Sequence, residues 1–134
     1  MKVFLRRLSA AFAAGAAGGL LNGITVWASG EYGLTRMAHV RLAPALTPGF
    51  LYPRVVWGGL WALVLLLPVL ERSPGWRVVV LALLPTLAQL FWFFPRTTPY
   101  GMLGLGLGTL MPLFVLLFNL VWALVAVAWY RRAA

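Results

Sequence analysis

The chain has 134 residues, of which 63% are hydrophobic and 10% are charged, and its formal net charge is +9. A soluble domain of this size needs a much larger charged fraction, so the composition excludes an ordinary soluble protein. The chain has no cysteine, which excludes disulfides, thiolate metal sites and cysteine nucleophiles. The basic residues lie at the ends of apolar segments, where they anchor helices, and this placement argues against nucleic-acid binding.

Four apolar segments account for most of the chain, and each is about long enough to cross a hydrocarbon core of ~30 Å. We therefore predict an all-α, polytopic membrane protein. It is expected to be a single integral membrane domain over residues 1–134, folded as a four-transmembrane-helix bundle. The predicted spans are 8–29, 53–70, 76–94 and 109–130.

The first span carries a stripe of small and polar residues at a spacing of four and three. That spacing places its members on one face of a helix. They are Ala11, Gly15, Gly18, Asn22, Thr25 and Ser29. Gly19 and Gly23 lie beside the stripe. Because helices in lipid have little hydrophobic drive to associate, close backbone approach at small residues joins them, and we predict that this face packs against protein.

The first outer loop, residues 30–52, is the one long predicted connection. Its apolar residues follow helical spacing, which predicts a short interfacial helix that ends at Pro44. These residues are Leu34, Met37, Ala38 and Leu42. A loop of this length is a functional lid, a partner contact or a solvated connector, and the sequence leaves these alternatives open.

The second span is expected to begin at Pro53, because proline suits the first turn of a helix. Arg54 can extend its charged end outward to the membrane surface. Gly58 and Gly59 offer a flat patch on which another helix, such as the first span, can pack. The short turn 71–75 predicts that spans two and three form an antiparallel hairpin.

Three short runs mark the start of the second span. They are Ala43-Pro44-Ala45-Leu46-Thr47-Pro48, Leu51-Tyr52-Pro53-Arg54 and Trp57-Gly58-Gly59-Leu60-Trp61. This stretch of about twenty residues resembles uncharacterised small bacterial four-span inner-membrane proteins. The resemblance implies a bacterial inner-membrane protein and supplies no activity.

The third span contains Pro85, Gln89 and Trp92 at a spacing of four and three, hence on one face. Pro85 is expected to kink the helix and free a carbonyl near Gln89. Before the fourth span, Gly104 and Gly108 form a GxxxG pair of the kind that packs helices. Their segment is predicted to be a short re-entrant piece or a flexible outer turn.

Three amides, Asn22, Gln89 and Asn119, are expected at similar depths in the outer half of the bilayer. Together with Thr25, they form the predicted buried polar cluster. One interpretation is interhelical hydrogen bonding, worth only ~0.6 to 2 kcal/mol per contact. The other is a ligand site or a polar pore constriction. Arginines near the outer surface are then the candidates to bind an anionic headgroup: Arg36, Arg41 and Arg54.

The residues that catalysis needs are scarce. The chain has one histidine, His39, and two acids, Glu31 and Glu71, all in or beside predicted loops. They form no catalytic set or metal cluster, and we predict neither an enzyme nor a cofactor. The predicted spans also carry no ionisable group beyond Arg54 at a boundary, whereas ion-coupled carriers generally need one within the membrane.

The basic residues also predict the topology. Seven lie on the side of the two termini, namely Lys2, Arg6, Arg7, Arg72, Arg77, Arg131 and Arg132, against four on the other side. The positive-inside rule then places both termini in the cytoplasm.

The functional expectation is a non-catalytic accessory, assembly or stabilising subunit of a larger bacterial inner-membrane complex. Its expected partners are membrane lipids and other membrane subunits, or further copies of itself. Two alternatives remain open: a small homo-oligomeric channel or carrier, and a lipid- or quinone-binding membrane protein.

Overall fold

The computed structural model describes residues 1–67 and 73–133, and in these ranges the only regular structure is helical. The predicted end of span two, residues 68–70, and Glu71 and Arg72 in the following turn lie outside the described residues. The elements are α1 (Lys2–Glu31), α2 (Leu34–Met37), α3 (Pro48–Ala62), α4 (Pro74–Ala88), α5 (Phe94–Thr97) and α6 (Met111–Ala133). A 3₁₀ turn, Leu63–Leu66, extends α3, and a π-helical turn, Gln89–Phe93, joins α4 to α5.

Four helical stretches are long and apolar enough to cross a membrane: Lys2–Glu31, Pro48–Leu66, Gly75–Thr97 and Met111–Ala133. The predicted all-α class and the predicted number of span-length helices are therefore confirmed. The boundaries differ, because polar residues that flank an apolar run also adopt helical backbone. α1, for example, includes the basic residues that precede the predicted first span.

The start of α3 corrects the expectation for the second span. The side chain of Thr47 accepts a hydrogen bond from the Phe50 amide at 3.2 Å, and Pro48 occupies the first helical position. A capping threonine followed by proline is a strong helix start, so α3 begins five residues before Pro53. Pro53 is thus an interior residue of the helix, and Arg54 lies in its second turn.

Helix α1 is the central element of the fold. Both α3 and α6 pack along α1, and α4 packs along α6, whereas α3 and α4 touch each other at few points. Over the described residues, spans two and three therefore pack on each other along only a small part of their length; part of the turn predicted to join them as a hairpin lies outside those residues. Each is held by a different neighbour, which leaves room between them.

The contact between α1 and α3 is a backbone-to-backbone approach at glycine. A Cβ atom on Gly15 would lie 2.2 Å from the carbonyl oxygen of Gly58, and one on Gly19 would lie 2.1 Å from that of Arg54. Gly18 faces α6 in the same way, because a Cβ atom there would lie 2.6 Å from the carbonyl oxygen of Trp122. No larger residue fits these positions while the helices keep their separation. The remaining small residues of this face, Ala11 and Gly23, are buried as well, and Gly59 lies against the ring of Phe12.

The pair Gly104 and Gly108 lies outside any α-helix, in the segment before α6. Their φ angles are +67° and +154°, which is backbone that glycine adopts more readily than other residues. A Cβ atom on Gly108 would lie 2.6 Å from the carbonyl oxygen of His39. The pair therefore does not form a GxxxG helix contact; Gly108 instead lets two loops meet.

The two loops meet next to the short helix α2. This helix ends at Met37, well before Pro44, and His39 follows with a φ of +59°. The backbone amide of Arg41 donates to the carbonyl oxygen of Leu107 at 2.8 Å, and the Arg41 side chain donates to that of Gly106. We call this junction of residues 38–42 and 104–108 the loop clasp. The helix ends beside it are the loop end of the molecule, and the opposite ends are the termini end.

Candidate functional site

Asn22 lies in the last third of α1, nine residues from its end at Glu31, and connects three helices. Its side chain is buried, and Nδ2 donates to the carbonyl oxygen of Phe118 on α6 at 2.8 Å. Its Oδ1 accepts a hydrogen bond from Nη1 of Arg54 on α3, also at 2.8 Å. Both ends of the amide are therefore bound, and α1 is joined to α3 and to α6 by side-chain polar contacts.

Asn119 makes the matching connection between α6 and the third span. Its Nδ2 donates to Oε1 of Gln89 and to Oγ1 of Thr86, each at 2.9 Å. The Thr86 hydroxyl in turn donates to the carbonyl oxygen of Ala82 in its own helix at 2.7 Å. Asn119 and Gln89 are thus in direct contact, whereas Asn22 is bound to neither.

We call Asn22, Arg54, Gln89 and Asn119 the polar cluster. Its members lie six to nine residues from the loop ends of their helices. At ~1.5 Å rise per residue, all four are roughly 9 to 14 Å from the loop end. The cluster is therefore a layer across the helices, in the half of the molecule that faces the loop clasp.

Arg54 was predicted as a candidate to bind an anionic headgroup, but its contact with the buried amide of Asn22 was not predicted. It was expected to extend outward, but its guanidinium is turned inward to Asn22, and its Cζ lies 4.5 Å from the centre of the Phe50 ring. The early start of α3 explains this, because it moves Arg54 one turn into the helix, where it faces α1. Among the described residues Arg54 has no carboxylate partner; besides the Asn22 amide, its guanidinium contacts the Phe50 ring.

The polar cluster lines a cavity of about 480 Å³ between the helices. Its walls are mainly aromatic and apolar, from Phe50, Pro53, Trp57 and Trp61 of α3, Pro85 and Phe93 of the third span, and Trp122 of α6. The lining residues that are exposed, among them Pro53, Trp57 and Phe93, belong to α3 and the third span. The mouth of the cavity therefore lies between these two helices, where they pack poorly on each other.

A second cavity of about 290 Å³ lies toward the loop end. Its apolar walls include Val26, Leu107, Met111 and Phe118. The two cavities share five lining residues: the four members of the polar cluster and Phe93. The cluster therefore stands where the two cavities meet.

The hydrogen-bonding capacity of the cluster is only partly used. Among the described residues, the guanidinium of Arg54 donates one hydrogen bond from its five N–H groups. The side-chain NH₂ of Gln89 donates none to a described residue, and no buried polar atom in the described part lacks a partner. The unused donors therefore reach accessible space, and both residues line the cavities.

Thr25, Arg36 and Arg41, which were also predicted as polar or headgroup site residues, line neither cavity. Thr25 is half-buried, and its hydroxyl donates to the carbonyl oxygen of Leu21 in its own helix at 2.7 Å, so it is not part of the polar cluster. Arg41 belongs to the loop clasp, and the exposed Arg36 lies beside Gly33. The structure does not bring the three candidate arginines together.

The sequence analysis did not predict the interhelical hydrogen bonds of two further residues, Thr86 and Trp122. Thr86 shows no signal in the sequence, because a threonine in an apolar helix commonly bonds its own backbone. Trp122 donates from Nε1 to the carbonyl oxygen of Gly15 at 3.1 Å. A signal for it existed, because Trp122 lies three residues after Asn119 and therefore on the same face of α6.

The polar groups that line the cavity are a guanidinium and amides, which can donate and accept hydrogen bonds. Within residues 1–67 and 73–133, no group of three or more His, Asp or Glu side chains is placed to hold a metal ion. Comparison of the chain with protein-family models, with curated proteins and with solved structures gives no match.

Proposed function

We propose that this chain is a non-catalytic integral membrane protein that binds an amphiphile, such as a lipid or a quinone, in the cavity between α3 and the third span. The supporting observation is the geometry of that cavity. Polar groups from four helices converge on its inner wall, its other walls are aromatic, and its mouth lies between two helices. A polar headgroup fits the inner wall, and an apolar tail can leave through the mouth.

The size of the cavity is consistent with this proposal. Its volume of about 480 Å³ lies in the ~300–1,000 Å³ range of small-molecule sites, which are mostly apolar with a few placed polar groups. Trp57 and Trp61 are one turn apart on α3 and both line the cavity. Rings at this spacing form a continuous apolar wall along which a chain or a flat ring can lie.

We further propose a bacterial inner-membrane location, and the charges support the orientation in which both termini are in the cytoplasm. Lys2, Arg6, Arg77, Arg131 and Arg132 are at or near the termini end, together with Arg7, which donates to the Tyr130 hydroxyl. The loop end carries fewer basic residues than these six, namely the four arginines Arg36, Arg41, Arg54 and Arg96. The greater positive charge therefore belongs to the termini end, and such segments stay in the cytoplasm.

Two glycines provide a matched test. Gly49 lines the cavity and Gly75 does not, yet each follows the proline that starts a helix, and a Cβ atom on either would meet no atom within 4 Å. We expect Gly49→Leu to fill part of the cavity and to lower the amount of lipid or quinone that co-purifies with the protein. Gly75→Leu should retain as much as the unmodified chain.

Extraction in a mild neutral detergent, followed by mass spectrometry of the bound lipid and quinone per chain, gives this amount. Equal retention by both leucine variants would refute binding in this cavity. Circular dichroism of the two variants checks that each is folded before they are compared.

A second candidate is the accessory subunit of a larger complex. The observation in its favour is the exposure of large apolar side chains on the third span, such as Leu87, Phe91 and Trp92, which neighbouring helices could cover as well as lipid. Native mass spectrometry of the protein extracted from its own membrane tests this. A heteromeric assembly supports the subunit proposal, and a pure homo-oligomer contradicts it.

A further inference from the structure

We propose that the cavity binds the oxyanion of an anionic phospholipid between Arg54 of α3 and Gln89 of the third span. This inference rests on the proposed function and narrows its ligand from any amphiphile to one with a negative headgroup. It also assigns the ligand a structural role, because such a lipid would connect the two helices that scarcely touch each other.

The first step of the argument is charge. Arg54 is half-buried and turned away from the surface, and none of the described residues gives it a carboxylate partner. The chain has only two acids, Glu31 at the end of α1 and Glu71, which lies outside the described residues. A cation inside an apolar layer needs a compensating anion. A bound oxyanion supplies one, whereas a neutral quinone does not.

The second step is the chemistry of the unused groups. The guanidinium keeps four N–H groups for a ligand, and the NH₂ of Gln89 adds two more. Guanidinium donors in a planar fork match the oxygens of phosphate and carboxylate. Because Asn22 holds the guanidinium and Asn119 holds the Gln89 side chain, the donors are oriented before the ligand arrives.

The third step is the path of the acyl chains. The exposed wall of the cavity is made of Pro53 and Trp57 on one side and Phe93 on the other. A headgroup at the polar cluster therefore has apolar chains leaving between α3 and the third span, directly into the lipid. At the loop end of the molecule, the loop clasp ties residues 38–42 to residues 104–108. Lateral entry from the bilayer therefore suits this site better than entry from water.

The test measures how ligands shift the thermal unfolding of delipidated protein in a neutral detergent. The probes are dioleoyl phosphatidylglycerol, dioleoyl phosphatidylcholine with the same chains, a short-chain ubiquinone and inorganic phosphate. We expect phosphatidylglycerol to act at a concentration about tenfold or more below that of phosphatidylcholine, as one charge-assisted contact allows. Inorganic phosphate and the quinone should give a much smaller shift.

Variants locate the effect at Arg54. Arg54→Gln should bring the two phospholipids to within about twofold of each other, and Arg54→Lys should keep part of the preference, because the charge remains while the planar fork is lost. Gln89→Glu retains an acceptor for Asn119 and places a negative charge at the site, so it should also remove the preference. Arg36→Gln removes the same charge from an exposed position at the same end, and it should behave as the unmodified protein.

Three results would overturn the inference: equal response to both phospholipids, an undiminished preference in Arg54→Gln, or a full shift with phosphate or quinone alone. The Gly49→Leu variant separates this failure from that of the proposed function. If both phospholipids shift the unfolding equally and Gly49→Leu weakens both shifts, the cavity binds lipid without discriminating between headgroup charges. If Gly49→Leu responds to the ligands as the unmodified protein does, both proposals are refuted: amphiphile binding in the cavity and the preference for an anionic headgroup.

Discussion

Replacement of Gly15 by alanine tests the backbone contact between α1 and α3. The added Cβ atom would lie 2.2 Å from the carbonyl oxygen of Gly58 and 2.3 Å from the Cβ atom of Ala62. Neither neighbour is the end of a flexible side chain. The two helices must therefore move apart by roughly 1 Å before contacts return to the usual ~3.5 Å.

Two opposing terms set the expected magnitude. Overpacking of a tight contact costs about 1–3 kcal/mol, whereas the higher helix propensity of alanine contributes up to ~1 kcal/mol in the other direction. We expect a net loss of about 1–2 kcal/mol, since the clash is with rigid groups on a neighbouring helix. The separation would also disturb the hydrogen bond from Trp122 to the Gly15 carbonyl oxygen.

Two matched alanine variants serve as controls. A Cβ atom on Gly75 would meet nothing within 4 Å, so Gly75→Ala should be neutral or slightly stabilising. Gly23 lies in the same helix as Gly15, but its Cβ atom would meet the tip of the Leu51 side chain, which can rotate away. Gly23→Ala should therefore fall between the other two.

The assay is reversible unfolding in mixed detergent micelles, followed by circular dichroism. If Gly15→Ala is as stable as Gly75→Ala, or more stable than Gly23→Ala, the reasoning from a rigid backbone contact is refuted.

Three further predictions concern single contacts. Trp122→Phe keeps most of the ring but removes the donor to Gly15, and in the same unfolding assay it should lose about 0.5–1.5 kcal/mol; no loss would show that this bond is not needed. Asn119→Leu breaks two side-chain bonds and should lose about 1–2 kcal/mol, in contrast to a leucine at an exposed polar position. Arg41→Ala should loosen the loop clasp and raise, severalfold, the rate at which a thiol reagent modifies Leu107→Cys, because Leu107 is buried. The chain has no cysteine of its own, so the thiol reagent modifies only position 107. An unchanged modification rate would show that the loop clasp does not shield this position.

Some features of this protein follow from local sequence alone. The four apolar stretches are each long enough for a span, and hydrophobic length is a property of consecutive residues. The spacing of Ala11, Gly15, Gly18 and Asn22 likewise places them on one face, because the helix period depends only on backbone geometry. The structure buries all four of these residues. Thr25, at the same spacing, is only half-buried although Ser29 one turn later is buried, since helical periodicity marks a face without saying which neighbouring helix covers each position.

Other features depended on which helices become neighbours. The sequence places Arg54 near a proline and suggests a membrane boundary, but the cap at Thr47 moves the helix start and turns Arg54 toward Asn22. The short turn after span two predicts an antiparallel hairpin but not which neighbours hold its two helices: α3 is held by α1, and α4 by α6. The cavity exists because of that separation. Contacts between residues about a hundred positions apart, such as Asn22 with Phe118, are set by the packing of whole helices, and no local pattern encodes them.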